Sequence, residues 1–304
     1  MPFSKLMERY NSLNKYLRER FGRKVYKLPV DAGFTCPNRD GSKGTGGCIF
    51  CSQAGSGDFA ESGSDIKAQL NNAKRRVAGK VPSDCGYIAY FQSFTNTYAP
   101  VEKLSELYTA AMSVEDVVAL SVATRPDCID AEVASLLGRL NRSMPVFVEL
   151  GLQSSNENTA QLINRCYVNR EFSNAVSLLR AEGIELIVHV ILGLPGETSD
   201  DMLATVDFAC AHDIQGIKLQ LLHVLKNTGL AEMDYTPMDM DEYFSVLGEC
   251  LRHIPRNIVI HRLTGDGDKR ILLAPLWSGD KHRVLNGFMR YMDENDIVQG
   301  SLCK

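Results

Sequence analysis

Short runs of hydrophobic, β-branched residues recur along the chain, and segments with helical periodicity separate them. Six runs predict buried strands at 25–31, 86–92, 117–123, 145–150, 184–192 and 214–222. The segments between them predict helices near 64–79, 100–112, 130–141, 155–182 (interrupted) and 199–212. Strands that are apolar on both faces are typical of a parallel sheet, and the helices supply the crossovers that parallel strands need. The pattern predicts an α/β fold, a partial (β/α)6 barrel of the TIM type.

The two ends of the chain depart from this alternation. A basic helix is expected at 3–21, and the C-terminal part predicts a helix near 239–253, an apolar run at 257–263 and a helix at 281–293. We therefore divide the chain into a basic N-terminal helix, the barrel and a C-terminal α/β extension packed on it, at 1–24, 25–228 and 229–304.

The composition favours a globular protein with a large core. Of the 304 residues, 44% are hydrophobic and 23% are charged, and the formal net charge is −4. No segment approaches the roughly 18 apolar residues of a membrane span, and the first residues lack a signal-peptide pattern. We expect a cytoplasmic protein that does not contact a membrane.

The charge is distributed unevenly. Residues 1–30 hold eight Lys and Arg against two Glu, and residues 252–290 hold eight against three Asp. Such basic ends suit contact with a phosphate backbone, and they equally suit solvated helix faces whose carboxylate partners lie elsewhere in the fold.

Three of the nine cysteines are clustered in the segment CPNRDGSKGTGGCIFC (36–51), just after the first predicted strand. Cys48 and Cys51 form a CxxC pair, and Cys36 precedes them across a glycine-rich loop. Three thiolates suit a four-iron, four-sulfur cluster with one open iron, whereas structural zinc sites use four ligands and catalytic zinc sites use three. The spacing indicates a metal site and leaves both metals open. The remaining cysteines are scattered through hydrophobic segments, which indicates reduced and mostly buried thiols.

Six further motifs follow the cysteine segment in order: AYFQSFTNTYAP (89–100), ATRPDCI (123–129), VELGLQSSNENTAQLINR (148–165), HVILGLPGET (189–198), LQLLHVLKNT (219–228) and HRLTGDG (261–267). Together these motifs closely resemble the radical S-adenosylmethionine (SAM) proteins of the YhcC/YtqA type, relatives of the catalytic subunit of Elongator. The resemblance covers nearly the whole chain. It implies a partial (β/α)6 barrel, a four-iron cluster on Cys36, Cys48 and Cys51, and SAM bound to the open iron.

The resemblance also implies a chemistry. An electron donor such as flavodoxin or ferredoxin reduces the cluster, and SAM is cleaved to a 5′-deoxyadenosyl radical that removes a hydrogen atom from the substrate. The SAM contacts that it implies are Gln92, Ser93, Thr95 and Asn96 at the methionine end, Glu149, Gln153 and Arg165 at the ribose and carboxylate, and Gly193 and Gly196 at the adenine.

Ordinary structural roles compete with these assignments. Glu149 suits an ion pair, Gln153 a helix cap, Arg165 a solvated helix face, and the two glycines a turn around Pro195. His189 is expected to be a core histidine unless its side of the strand faces the barrel interior. Cys128, at the end of the third strand, is expected to be packed rather than a thiol donor.

The kinship with Elongator, whose radical SAM subunit acts on wobble uridine, implies a tRNA nucleoside as substrate. The basic ends would then contact tRNA and form one positive rim beside the barrel mouth, with Arg18, Arg20, His261, Arg262, Lys269 and Arg270 as the expected contacts. Two alternatives stay open: a radical SAM enzyme acting on a small metabolite or a protein side chain, and a non-catalytic metal-binding module.

Overall fold

The computed structural model describes residues 9–55, 60, 61, 63, 65–265 and 267–303. The strands in these ranges are β1 (Val25–Val30), β2 (Gly86–Phe91), β3 (Val117–Thr124), β4 (Val146–Gln153), β5 (Glu185–Leu192), β6 (Gly216–Leu221), β7 (Val224–Leu225), β8 (Val259–Arg262) and β9 (Leu272–Ala274). Seven of them form one parallel sheet in the order β1-β2-β3-β4-β5-β6-β8, and β7 pairs with β9 in a separate antiparallel ribbon. The sheet curls into a half-barrel, which confirms the predicted partial barrel.

Helices connect consecutive strands and cover the outside of the sheet. They are α1 (Leu13–Phe21), α2 (Ile66–Val77), α3 (Val101–Met112), α4 (Ala131–Asn141), α5 (Glu157–Leu162), α6 (Asn169–Ala181), α7 (Ser199–Cys210), α8 (Met240–His253) and α9 (Lys281–Glu294). The interruption expected within 155–182 is the gap between α5 and α6. No helix in the described part of the chain is long and apolar enough to cross a bilayer.

The apolar run at 257–263 has a role that the sequence pattern did not predict. It forms β8, which pairs in parallel with β6 and so becomes the seventh strand of the barrel sheet, whereas the pattern assigns it to a separate extension. An isolated apolar run does not specify its partner strand, so this pairing could not be deduced from periodicity. The boundary at 228 stays a prediction.

Alternate residues of each strand face opposite sides of the sheet. In β4, Val148 and Leu150 belong to the outer core under the helices, whereas Phe147 lies in an inner apolar cluster at the amino end of the barrel. The inner positions change character toward the carboxyl end. Apolar side chains give way to Glu149 and then to Gln153 at the mouth.

Helix α1 closes the amino end of the barrel. Leu17 packs into the inner apolar cluster with Phe147, and Arg20 pairs with Glu185, the first residue of β5, and lies 5.2 Å from the centre of the Phe147 ring. The expectation that α1 and the 261–270 segment form one rim beside the mouth is therefore wrong, because α1 lies at the opposite end of the strands. Its apolar face is needed as a floor for the barrel. Residues 3–8 of the expected helix lie outside the described residues.

Candidate active site at the mouth of the barrel

A cavity of about 250 Å³ opens at the carboxyl ends of the strands. Parallel α/β barrels place their functional loops at this end. The loop after β1 covers one side of the cavity, and Cys36, Cys48 and Cys51 all line it. The fold thus brings together the three thiols that the sequence singled out.

Hydrogen bonds within the cysteine loop fix its shape. The amide of Cys51 donates to the carbonyl of Cys48 (3.0 Å), and the amide of Gly47, at a φ of 81°, donates to the carbonyl of Asn38 (2.8 Å). A hydrogen bond to the Cys51 thiol, together with burial, raises the pKa of Cys48 well above its usual value. A metal binds the thiolate form, so metal binding here would release a proton.

Within the described ranges, no three His, Cys, Asp or Glu side chains are grouped as ligands of a single metal ion. A cubane cluster makes a different demand, because each thiolate binds a separate iron atom.

Asn38 is fully buried and ties the cysteine loop to the segment after α5. Its side-chain amide donates to the carbonyl of Asn164 (2.5 Å) and to Sγ of Cys48 (3.7 Å). Asn164, at a φ of 54°, donates from its own amide to the carbonyl of Gly47 (2.8 Å). A Cβ at Gly44 would collide with the Asn38 amide. The loop therefore depends on a pair of asparagines that our sequence reasoning missed.

A buried charge cluster fills the barrel below the cysteines. The Glu149 side chain, which is fully buried, accepts hydrogen bonds from Lys27 (2.5 Å), Ser121 (2.8 Å), Tyr90 (2.9 Å), His189 (2.8 Å) and Lys218. Both oxygens of the carboxylate are used. The ion-pair role that the sequence left open for Glu149 is therefore present, and its contact with SAM stays a prediction.

The electrostatics of this cluster follow from one carboxylate that faces two lysines. Burial raises the pKa of Glu149, but Lys218 and Lys27 outweigh this effect and hold the pKa well below its usual range. Burial lowers the pKa of Lys218 to about 7, against the opposing effect of Glu149. The Lys218 side chain is 5% exposed, which agrees with burial as the main cause of its lowered pKa. A charged residue inside the apolar strand GIKLQL was the sequence signal for Lys218.

Arg165 lines the cavity, yet its guanidinium is bonded within the protein. Its N–H groups donate to the carbonyls of Leu152 (2.9 Å), Ser154 (2.6 Å) and Tyr167 (3.0 Å) and to the side chains of Asn169 (3.0 Å) and Glu157 (3.3 Å). A guanidinium has five N–H donors, and five bonds are formed. Arg165 fastens the end of β4 to the segment before α6, and its proposed contact with the SAM carboxylate stays a prediction.

Arg125 is a cavity cation that the sequence reasoning missed. It follows β3 directly, and its Nε and Nη2 donate to the two carboxylate oxygens of Asp127, each at 2.9 Å. The guanidinium also lies 4.8 Å from the centre of the Tyr167 ring. Asp127 is 1% exposed and pairs with Lys43 at 2.8 Å. The place of Arg125 at the end of a predicted strand, in the motif ATRPDCI, was a usable signal.

Gln153 has features of a ligand-binding position. It is a non-glycine residue at a φ of 66°, a region that side chains rarely adopt without a constraint. It lines the cavity, and among the described residues its buried Oε1 has no hydrogen-bond partner. An acceptor in this state suits a ligand hydroxyl.

The other expected SAM contacts are divided. Gln92 and Thr95 line the cavity, whereas Ser93 and Asn96 are buried and are not among its lining residues. Gly193 and Gly196 are also absent from the lining; the carbonyl of Gly193 accepts a hydrogen bond from the Tyr235 hydroxyl (2.5 Å). A Cβ at Gly193 would lie 2.7 Å from Cε of Met238, so the C-terminal segment packs closely over this turn. The adenine contact expected there stays a prediction.

The residues expected to contact substrate lie at two ends of the barrel. Arg262 lines the cavity, and Lys269 and Arg270 are exposed on the loop that follows β8 at the mouth. His261 packs against Gly216, where a Cβ would approach Nε2 of its ring to 2.6 Å. Arg18 and Arg20 lie at the far end, on α1.

The structure also places His189 and Cys128. His189 faces the barrel interior, where it bonds Glu149 and lines the cavity, and burial lowers its pKa to about 4. Cys128 lines a separate groove with Lys43 and Tyr98, and burial raises the pKa of its thiol to about 12. Packing is the role that this position supports.

Two family models match the chain in succession. The Radical SAM superfamily model matches residues 39–209, and the Radical_SAM C-terminal domain model matches residues 214–294. Among curated proteins, YtqA of Bacillus subtilis is 42% identical over 304 residues, which cover 98% of this chain and 94% of YtqA. YhcC of Escherichia coli K12 is 35% identical over 308 residues, with 97% and 96% covered.

A solved structure supports the same fold. Elp3 of the archaeon Methanocaldococcus infernus, with its N-terminus deleted, superposes with a TM-score of 0.70 at 17% sequence identity. The match covers 92% of this chain and 65% of the Elp3 chain. Members of the matched superfamily bind a four-iron, four-sulfur cluster and SAM, for which three clustered cysteines at a barrel mouth are suitable ligands. From its family models, its relatives and its fold, the chain belongs to the radical SAM superfamily.

Proposed function

We propose that this radical SAM enzyme modifies a nucleoside of tRNA in the cytoplasm, with the side chain of wobble uridine as its target. The observation that carries the proposal is the shared position of the cysteine-lined cavity and a group of exposed cations. Lys226, Lys269 and Arg270 lie at the carboxyl end of the barrel, just after β7 and on the loop after β8, beside residues that line the cavity. The resemblance to relatives of Elongator supports the same substrate class.

The residues at the mouth suit the cofactors of the superfamily. Cys36, Cys48 and Cys51 would hold the cluster, and the unpartnered Oε1 of Gln153 would accept from a ribose hydroxyl of SAM. When bound and reduced by a donor of the flavodoxin or ferredoxin type, these cofactors supply a carbon-centred radical. The protein would orient the substrate carbon and exclude water, for which the closed amino end of the barrel is suited.

A base must leave its stack to enter such a cavity. Single-stranded loops present bases that can be turned outward and held by aromatic or guanidinium planes, and the anticodon loop is such a region. Phe50, Phe94 and Tyr167 line the cavity. Cations at the rim would hold the flanking phosphates, so the affinity for tRNA should fall steeply with salt.

The test is a comparison of modified nucleosides in total tRNA from cells with and without the protein. We expect one modified wobble uridine to disappear and its precursor to accumulate, and the wild-type gene to restore it. An unchanged nucleoside profile, with SAM cleavage demonstrated in the purified protein, would contradict the proposal in favour of a metabolite or protein substrate.

Charge reversal at two ends of the barrel supplies a matched control. Lys226→Glu with Lys269→Glu changes the charge at the mouth, and Lys15→Glu with Arg18→Glu makes the same change on α1. We expect only the first pair to weaken tRNA binding and to reduce the slope of log affinity against log salt by about two, one for each phosphate that is no longer neutralised. Equal weakening by both pairs would show that the mouth is not the tRNA interface.

A further inference from the structure

Asn38 lies between the cysteine loop and the segment that follows α5. Its side chain is fully buried, and its Nδ2 donates two hydrogen bonds. One goes to the carbonyl of Asn164 (2.5 Å) and the other to Sγ of Cys48 (3.7 Å). The nitrogen of a side-chain amide has two N–H donors, so both are used. Asn38 therefore joins one of the three clustered sulfurs to the wall of the barrel.

The contacts of the Asn38 amide fix its orientation. Nδ2 faces the carbonyl oxygen of Asn164, and a rotated amide would bring two acceptor oxygens together. In the present orientation Oδ1 is buried and has no hydrogen-bond partner among the described residues. A buried acceptor without a partner is unfavourable, so the acceptor does not explain why an amide stands here. The group that an apolar side chain could not supply is the N–H donor.

The backbone around Asn38 keeps this donor in place. The amide of Gly47 donates to the Asn38 carbonyl (2.8 Å). The side chain of Asn164 donates to the carbonyls of Gly47 (2.8 Å) and Thr45 (3.2 Å). A Cβ at Gly44 would collide with the Asn38 amide, so the loop packs closely on this side chain. The N–H that points at Cys48 is therefore held at both ends of the residue.

We propose that Asn38 raises the reduction potential of the cluster by donating a hydrogen bond to the Cys48 sulfur, and that Asn164 is a positioning residue whose carbonyl orients the donor. Reduction adds negative charge that the cysteine sulfurs share, so an N–H directed at one of them stabilises the reduced form more than the oxidised form. Hydrogen bonds to metal ligands commonly have such an effect. The inference goes beyond the proposed function. It rests on the assignment of the cluster to Cys36, Cys48 and Cys51 and does not depend on tRNA as the substrate.

The test is a redox titration of the anaerobically reconstituted protein without SAM or tRNA, followed by visible absorbance and by the EPR signal of the reduced cluster. Asn38→Leu keeps a similar volume and removes the donor. Asn164→Gly is the matched control, because it removes two side-chain bonds to the loop, tolerates the φ of 54° and keeps the carbonyl that accepts from Asn38. In Asn38→Leu we expect the equilibrium constant for reduction to fall about tenfold, which is about 59 mV for a one-electron couple. In Asn164→Gly the potential should stay at the wild-type value.

The outcomes separate an effect on the potential from support of the loop. The proposal is supported if the potential of Asn38→Leu falls at unchanged iron content while that of Asn164→Gly does not change. An unchanged potential in Asn38→Leu overturns it, and so do equal shifts in both variants, because the shape of the loop would then set the potential.

A second substitution covers the case in which Asn38→Leu loses the cluster. Asn38→Asp keeps the shape, cannot donate when ionised and adds a negative charge, so it should lower the potential at least as far. Loss of the cluster in both variants would overturn the proposal, since Asn38 would then be needed for the loop itself. No tRNA is present, so each result leaves the substrate question to its own experiment.

Discussion

Replacing Glu149 with Gln tests the charge cluster in the middle of the barrel. The substitution keeps the shape of the side chain and removes its charge, so Lys27 and Lys218 lose the carboxylate that both contact. The glutamine amide also presents N–H donors to groups that are themselves donors, namely Tyr90 and His189. The variant therefore leaves the buried Lys218 and the half-buried Lys27 without a counter-ion.

The size of the effect follows from burial and depends on pH. Removing one partner of a buried ion pair costs on the order of 3–5 kcal/mol of unfolding free energy. In the wild type the pKa of Lys218 is lowered to about 7, and without Glu149, which raises it, the pKa must fall further. At pH values between the pKa of Lys218 in the folded chain and its higher pKa in the unfolded chain, Lys218 is protonated only in the unfolded chain. The unfolding free energy therefore increases with pH in this range. Below pH 7 only the variant still loses stability as the pH falls. The difference in unfolding free energy between wild type and variant therefore grows by up to about 1.4 kcal/mol for each unit by which the pH is lowered.

The assay is urea unfolding of the wild type and the variant at pH 5.5 and pH 8, with Glu185→Gln as the control. Glu185 pairs with Arg20 at the amino end, where both side chains are about a quarter exposed, so its loss should cost about 1 kcal/mol or less. We expect the Glu149→Gln deficit to be larger at pH 5.5 than at pH 8. A deficit no larger than that of the control, or one that does not change with pH, would refute the view that Glu149 compensates the buried lysines.

Two further predictions concern the cofactors. Changing Cys36, Cys48 or Cys51 to Ala should abolish the binding of about four irons per chain after anaerobic reconstitution, because these three thiols line the cavity. Cys85→Ala and Cys210→Ala should retain the iron, since neither thiol lines it. Stable zinc binding without iron uptake in the wild type would contradict this prediction. Gln153→Ala should weaken SAM binding about 5- to 10-fold at unchanged iron content, as expected for the loss of one neutral hydrogen bond. It should also stabilise the fold slightly, because it removes a buried acceptor that has no partner among the described residues. Unchanged SAM affinity in equilibrium dialysis would show that the ribose binds elsewhere.

Periodicity and spacing predicted the parts of this protein that depend on local sequence. The six central strands and their crossover helices lie within a few residues of their expected positions, and the three cysteines meet at the carboxyl end of the sheet. The period-2 alternation of a strand shows which residues share a face, and the end of a parallel strand indicates the functional side. Gln153 and Thr95, which line the cavity, were singled out by the resemblance to radical SAM proteins rather than by periodicity.

The misplaced elements depend on long-range pairing. The apolar run that became β8 carries no local signal for β6 as its neighbour, and α1 has basic residues that are as compatible with a tRNA-binding rim as with a solvated face. What decides the position of α1 is Leu17, which packs against the inner ends of the strands. Arg125 and Arg165 show the same limit on the scale of side chains. Both are arginines after strand β3 or β4, and only the three-dimensional arrangement of acceptors shows that Arg165 uses all its donors while Arg125 does not.

The layering of the barrel interior connects the floor to the chemistry at the mouth. Because α1 seals the amino end with apolar side chains, water reaches the Glu149 cluster from the mouth, through the same cavity that the cysteines line. A substrate that fills the cavity would remove this water and increase the desolvation of Lys218 and Lys27 together. Within the described interior, Glu149 is the one carboxylate that bonds to both of these cations. A ligand that presents polar atoms to these cations should therefore bind in the cavity more favourably than a purely apolar one. The reason is that an incompletely compensated, desolvated charge costs several kcal/mol, on the order of 3–5 for a buried ion that loses its partner. The lower interior of the barrel thus favours polar atoms in whatever reaches it.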